Sequence, residues 1–218
     1  MDDKIMELWK KQLIAYCENI ENTKGLDIST LDLNNTVICI IDIINGFAKF
    51  GPLSSENLNK IIPNVKELVE FGEKNKMPMI AYRDCHSKDN IELKSYPEHC
   101  ICGTEESELV DELKGYGIQE IKKISTNGFI SKNTVEYLND SNISNFIIVG
   151  GCTDICIYQY ALSLKAYLNE KNKEARIIIP VNMVATFDLP YHNAELNNMI
   201  FLNSMMSNGI EVIKKINF

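Results

Sequence analysis

NFIIVGG (145–151) runs without a break into CTDIC (152–156), and the reading of this junction decides the fold. The unbroken apolar run predicts a strand buried on both faces of a parallel sheet. Helical spacing follows from about 153 to 170, so a strand passes directly into a helix. Repeated units of that kind build a doubly wound sheet, with ligand sites beyond the carboxyl ends of the strands.

The same alternation extends outward in both directions. TVICIID (36–42) is a second fully apolar strand, and a helix over about 55–75 follows it. Ser54 or Ser55 caps that helix, and Leu58, Ile61, Ile62, Val65, Leu68 and Val69 form its stripe. PMIAYRD (78–84) is the next strand, and residues 85–104 form a long polar loop of the kind that tends to carry function. A helix near 105–115, a short strand at 119–124, and a short helix from Ser131 to about 138 lead back to the starting stretch. Beyond it lie strand ARIIIPVN (175–182), a helix from Asn193 to Met206, and a last strand IEVIKKI (210–216). The expected fold is therefore an α/β domain over 31–218, a mostly parallel six-stranded sheet with helices on both faces. Residues 1–30 form a helical arm, whose stripe of Ile5, Leu8, Trp9, Leu13, Tyr16 and Ile20 is expected to pack on the domain's flank.

Composition excludes several classes. With 22 basic and 30 acidic residues the net charge is −8, which argues against a binder of nucleic-acid phosphates. No run approaches the ~20 apolar residues of a membrane span. The start, MDDKIMELWKKQ, lacks the apolar core of a secretory leader, so a cytoplasmic protein is expected. Its seven cysteines are then expected to be reduced, each one core filler, metal ligand or nucleophile.

Cys156 falls in the first turn of the helix after the glycines. The helix dipole there is expected to favour thiolate, and the amides of that turn offer an oxyanion site. On position alone a small buried hydrophobe is the commoner fate of a free cysteine. Partners change that balance. Asp42 at the end of its strand can serve as base if burial raises its pKa, and Lys123 can steady the thiolate. A second group sits at the next strand end: Asp84 and His86 alternate there, and His99 follows a Tyr-Pro pair in the same loop. An aspartate with two imidazoles suits zinc or another borderline divalent ion, given a fourth ligand. Cys85, Cys100 and Cys102 crowd the loop too, but lack the Cys-x-x-Cys spacing of thiolate zinc sites. Phe47 and Tyr96 are either plain core packing, the commoner fate of an aromatic, or together the wall of a pocket for a flat ring, and His192 is assigned no catalytic role.

DIINGF (42–47), KISTNGF (123–129) and GGCTDICI (150–157) together resemble the isochorismatase-like cysteine hydrolases, from about residue 36 to the C-terminus. The resemblance implies a catalytic Asp42–Lys123–Cys156 triad, Lys123 rather than Lys122 because only it keeps the six-residue step to Phe129. It also implies a cis Gly151–Cys152 bond, with the Cys152 and Cys156 amides facing the substrate oxygen, and Asn45 and Phe47 near the substrate. DCH (84–86) with YPEHCICGT (96–104) is similar to the metal loop of nicotinamidases within that superfamily. A further histidine of that loop is missing here, and Glu92 is the matching candidate, with Asp89 left open. The implied cofactor is a divalent metal, Zn2+ or else Fe2+ or Mn2+, held by Asp84, His86, Glu92 and His99. The implied reaction is hydrolysis of nicotinamide through a Cys156 thioester, in a homo-oligomer. The alternative is metal-free hydrolysis of another small amide or carbamoyl compound.

Overall fold

The structure, a computed structural model, describes residues 2–140 and 142–218. In chain order it comprises α1 (Asp3–Glu21), β1 (Leu26–Asp27), β2 (Thr36–Ile41), α2 (Asn45–Ala48), α3 (Glu56–Lys74), β3 (Met79–Asp84), β4 (Gln119–Lys123), α4 (Lys132–Asp140) and β5 (Asn145–Gly151). A π-helical turn (Thr153–Ile157) leads into α5 (Tyr158–Glu170), followed by β6 (Arg176–Pro180), β7 (Val184–Ala185), α6 (Ala194–Ser207), β8 (Glu211–Ile213) and β9 (Ile216–Asn217).

The main sheet runs β4-β3-β2-β5-β6-β8, with β7 added on β5, and every pairing is parallel. It thus has seven strands rather than the expected six, because Val184 and Ala185 extend alongside Gly150 and Gly151. The predicted final strand is split: β8 ends the main sheet, while β9 pairs with β1 in a separate two-stranded sheet. The segment expected as a helix near 105–115 forms two 3-10 turns, Glu105–Ser107 and Asp111–Leu113.

Side chains alternate along each buried strand, so one strand feeds two cores. Ile38 and Ile40 of β2, with Ile147 and Val149 of β5, face the layer that holds Leu58, Ile62, Val65 and Leu68 of α3. Val37, Cys39 and Ile41, with Phe146 and Ile148, face Tyr160, Ala161 and Leu164 of α5 and Leu202 and Met205 of α6. The expected α3 stripe is the buried one, and Ser55 caps it by accepting from the Asn57 amide at 3.2 Å. The arm behaves differently. Helix α1 forms where expected, but none of its residues is buried; Trp9 remains 54% exposed and Leu8 63%. Its C-terminal half meets α6, through Asn19 to Asn203, Cys17 to Met199 and Asn203 to the Tyr16 carbonyl. Among the described residues no helix is long and apolar enough to cross a membrane.

The chain builds outward from β2 through β3 to β4, then returns to β5 on the other side of β2 and builds outward through β6 to β8. The switch point therefore lies between β2 and β5, where their carboxyl ends diverge and leave room for a ligand. Gly150 makes that junction possible. Its φ is +119°, and a Cβ there would sit 1.9 Å from the Ile41 carbonyl oxygen. Gly150→Ala is expected to cost about 3 kcal/mol or more, from overpacking and backbone strain together. An unfolding midpoint equal to the parent's would refute this account of the junction.

Candidate active site and metal cluster

Parallel register places Asp84 directly beside Lys123, while the Asp42 amide bonds the Tyr82 carbonyl on β3 at 2.9 Å. Three neighbouring strands thus end in two carboxylates and one ammonium. Lys123 Nζ lies 2.9 Å from Asp42 Oδ2 and also bonds Asp84 Oδ1. All three side chains are buried. Asp42 adopts φ 55°, which turns the chain out of β2 into α2; an aspartate tolerates this region better than most residues.

One ammonium shared by two carboxylates leaves them unequal. Burial pushes the Asp42 carboxyl up, Lys123 only partly offsets this, and the result is about 7. Burial also raises Asp84, but Lys123 and the imidazoles of His86 and His99 outweigh it and hold the carboxyl well below its usual range. Burial disfavours the charge on Lys123, yet Asp42 and Asp84 hold it well above its ordinary value. The ammonium persists at neutral pH, and Asp42 is the member whose carboxyl is raised into the neutral range.

Cys156 sits in the turn that follows the cis Gly151–Cys152 bond, itself as the sequence pattern implied. Its thiol is buried and close enough to Asp42 that each acts on the other's proton affinity. The expected thiolate is not the resting form. Burial pushes the thiol well above its ordinary value, against the pull of Lys123, and Asp42 and Asp84 push it further. The dipole of a helix that starts only at Tyr158 does not overcome desolvation and two nearby carboxylates. A base therefore has to take the proton, and Asp42 is placed to do so.

Asp84, His86 and His99 bring one ligand atom each within 4.8 Å of one another. His86 is completely buried and among the described residues neither ring nitrogen has a hydrogen-bond partner, Nε2 lying 3.5 Å from Asp84 Oδ2, a costly state unless something else engages it. His99 Nδ1 bonds the Pro97 carbonyl at 2.7 Å, which puts the proton on Nδ1 and leaves Nε2 facing Asp84 Oδ2, 3.8 Å away. The Asp84 carboxylate gives one oxygen to Lys123 and turns the other to both imidazoles. This donor set fits a divalent metal.

Glu92, expected as the fourth ligand, lies outside this group. It sits in the 3-10 turn Ile91–Lys94, capped by Asn90, and its Oε2 accepts from the Thr126 amide at 3.2 Å. The loop differs from expectation in a second way: Cys85 and Cys102 form a disulfide rather than staying reduced. Pairing of His86 with Ile101 brings the two thiols together as the loop returns to β3.

A cavity of about 310 Å³ opens onto these groups, lined by Asp42, Phe47, Asp84, Glu92, Tyr96, His99, Cys152 and Cys156 and also by Leu53, Ile155, Phe187 and Leu189. Phe47 and Tyr96 both contact the His99 ring, with centroids 5.6 and 6.1 Å away. Asn45 does not line the cavity. Its side chain donates to the Glu105 carbonyl at 3.0 Å, because α2 turns it toward the outer loop. Asp154, Thr186 and His192, unassigned from sequence, prove to be linked beside the cavity: Asp154 accepts from Thr186 Oγ1 and from His192 Nε2, each at 2.6 Å. Only the place of Asp154 within TDIC hinted at this; His192 lies 36 residues beyond Cys156 with no motif of its own.

Thiol, carboxylate and ammonium gathered at the switch point of a parallel α/β sheet are the arrangement of a hydrolytic cysteine enzyme. The Isochorismatase domain description matches residues 36–212. Nicotinamidase 1 of Arabidopsis thaliana is 30% identical over 212 residues, spanning 83% of this chain and 86% of that protein. Nicotinamidase PncA from Bacillus subtilis superposes with a TM-score of 0.71 at 25% identity, over 83% of this chain and 99% of that one. The pyrazinamidase of Pyrococcus horikoshii, solved in complex with zinc, superposes with a TM-score of 0.68 at 21% identity, over 82% and 98%. The chain belongs to the isochorismatase family, with nicotinamidases among its relatives.

Proposed function

We propose that this chain, a hydrolase of non-peptide amide C–N bonds, converts nicotinamide to nicotinate and ammonia through a thioester on Cys156. One observation carries the reading: Cys156 and the buried Asp42–Lys123 pair come together at a cavity lined by Phe47 and Tyr96 and by Asp84 and His99 of the Asp84–His86–His99 cluster. Asp42 takes the thiol proton as sulfur attacks the carboxamide carbon. The backbone amides of Cys152 and Cys156 receive the oxyanion. The C–N bond breaks as Asp42 returns its proton to the departing ammonia, leaving an acyl thioester. A water then gives a proton to Asp42 and attacks the acyl carbon; the S–C bond breaks and the sulfur recovers the proton. Lys123 balances the negative charge that moves between sulfur and carboxylate. Phe47 and Tyr96 flank the ring. A divalent ion on Asp84, His86 and His99 would supply a Lewis-acid anchor for a ring nitrogen; zinc suits the two imidazoles and carboxylate, as do iron(II) and manganese(II).

Ammonia release is to be measured over a panel of nicotinamide, simple amides, and carbamoyl or ureido compounds. Nicotinamide should be the preferred member, and protein purified without chelator should carry close to one divalent ion per chain. Preference for a carbamoyl compound, with under about a tenth of an equivalent of metal, would replace this reading by metal-free hydrolysis of another amide.

The base sets the pH dependence. A carboxyl raised to about 7 is protonated, and idle as a base, below that value. The kcat/KM for nicotinamide should therefore climb about tenfold per pH unit through the acid range and level off near 7. A flat profile from pH 5 to 8 would remove Asp42 from the role.

A further inference from the structure

His192 joins two parts of the cavity that the reaction does not otherwise connect. Its Nε2 meets Asp154 Oδ2 at 2.6 Å, in the turn that carries Cys156, and its Nδ1 meets the Phe187 carbonyl at 2.9 Å. The Phe187 ring lies flat on the imidazole, with centroids 4.0 Å apart and planes 10° apart. Leu189 and His192 exchange backbone hydrogen bonds, each 2.9 Å, so 189–192 forms a closed loop. Phe187 and Leu189 of this segment line the cavity, as do Phe47 and Tyr96. Elsewhere the segment is held by Asp188, which accepts from the Ala194 amide and from Asn57.

We propose that His192 is a positioning residue whose protonated ring ties the Phe187–Leu189 wall of the cavity to the Cys156 turn, and so sets how closely that wall covers the substrate. The inference rests on the amidase reading for its substrate, though not for its geometry.

Both ring nitrogens face oxygen acceptors, and only an imidazolium donates at both. A neutral ring would leave one pair of acceptors in direct opposition. Burial disfavours the charge on His192, but Asp154 and the Phe187 carbonyl outweigh it and raise the ring's pKa. The charged groups that face it are Asp154 in the turn and Asp188 in its own segment, the latter also close to Lys60 of α3. Loss of the proton releases one of the two ties. The wall then loosens, while Asp42, Lys123 and Cys156 keep their own contacts. Substrate binding should weaken more than the chemical step slows.

Two readouts test this. In steady-state kinetics with nicotinamide, His192→Ala should raise KM about 3- to 10-fold and lower kcat by less. The second readout needs no substrate: the rate at which Cys156 reacts with a bulky fluorescent maleimide, divided by its rate with iodoacetamide, followed by peptide mass spectrometry. Dividing cancels the thiolate fraction and leaves access to the cavity. In the parent this ratio should rise several-fold as pH passes through the His192 titration, located from the ring's NMR shifts. His192→Gln, which donates to Asp154 but does not titrate, should give a ratio independent of pH. Asp154→Asn should move the rise to lower pH, a shift that a purely structural contact would not produce. A parent ratio that stays level across the His192 titration overturns the proposal, as does an equal rise in His192→Gln. A rise of the expected form in a protein that releases no ammonia from any amide would leave the tie standing and remove the amidase reading instead.

Discussion

Cys156→Ala protein is expected to release ammonia from nicotinamide about 10⁴-fold more slowly than the parent, or not detectably. In the proposed mechanism the neighbouring groups act through this sulfur: Asp42 would move its proton and Lys123 would balance its charge, while the turn Thr153–Ile157 carries it at the cavity. With that sulfur gone, the other thiol on the cavity, Cys152, is a poor substitute, because burial and Asp154 push it up to about 12, and what is left is water beside a carboxylate of modest basicity. The fold should survive, since alanine fills most of the space of a small buried side chain, and truncation by one sulfur costs about 1–2 kcal/mol. Cys156→Ser should fall nearly as far, because a hydroxyl lies too far above the Asp42 carboxyl in pKa to surrender its proton readily. The measurement is single-turnover ammonia release beside a thermal melt. Folded Cys156→Ala retaining more than about one per cent of parental activity would end the thioester mechanism.

Lys123→Met is expected to be the most damaging substitution for stability. It leaves Asp42 and Asp84, both buried, without the cation that each now contacts, and removing one partner of a buried ion pair costs about 3–5 kcal/mol. The pH dependence identifies the cause. A carboxyl held below its ordinary value, as Asp84 is, adds stability that is complete above that value and lost as pH falls toward its folded pKa. Without Lys123 that contribution goes, and the bare carboxylates become easier to accommodate once one is protonated. The gap between parent and variant should therefore be largest near pH 7 and shrink toward pH 4 in chelator-treated protein. Equal urea midpoints at pH 7, or a gap that widens on acidification, would mean that Lys123 does not neutralise this cluster. Activity should fall with it, since an uncompensated Asp42 is a protonated Asp42.

How far the chain can be read in advance differs from residue to residue. TVICII, MIAYRD and NFIIVGG announce buried parallel strands because their apolar runs are unbroken, and the α3 stripe is legible because helical spacing repeats over five turns. Asp42, Asp84, His86, Lys123 and Cys156 stand out for a related reason: each occupies a strand end or the turn beyond it, and the topology makes strand ends converge; His99 stands out instead as an imidazole after a Tyr-Pro pair in the polar loop. Glu92 and Asn45 were harder. Their neighbourhoods depend on 3-10 and four-residue turns whose direction is set by single caps, Asn90 in one case and the outer loop in the other.

The sequence by itself determined the parallel sheet, because side-chain period follows from local chemistry, and its motifs named the candidate reacting side chains through a family resemblance. Tertiary structure alone decided the charges those side chains carry and the company they keep. Whether the Cys156 sulfur holds its proton depends on how much water is excluded around it and on two carboxylates that are distant in the chain. The disulfide of Cys85 with Cys102, the exposure of Trp9, and the meeting of His192 with Asp154 likewise depend on which segments pack together, and composition and spacing do not encode that distance.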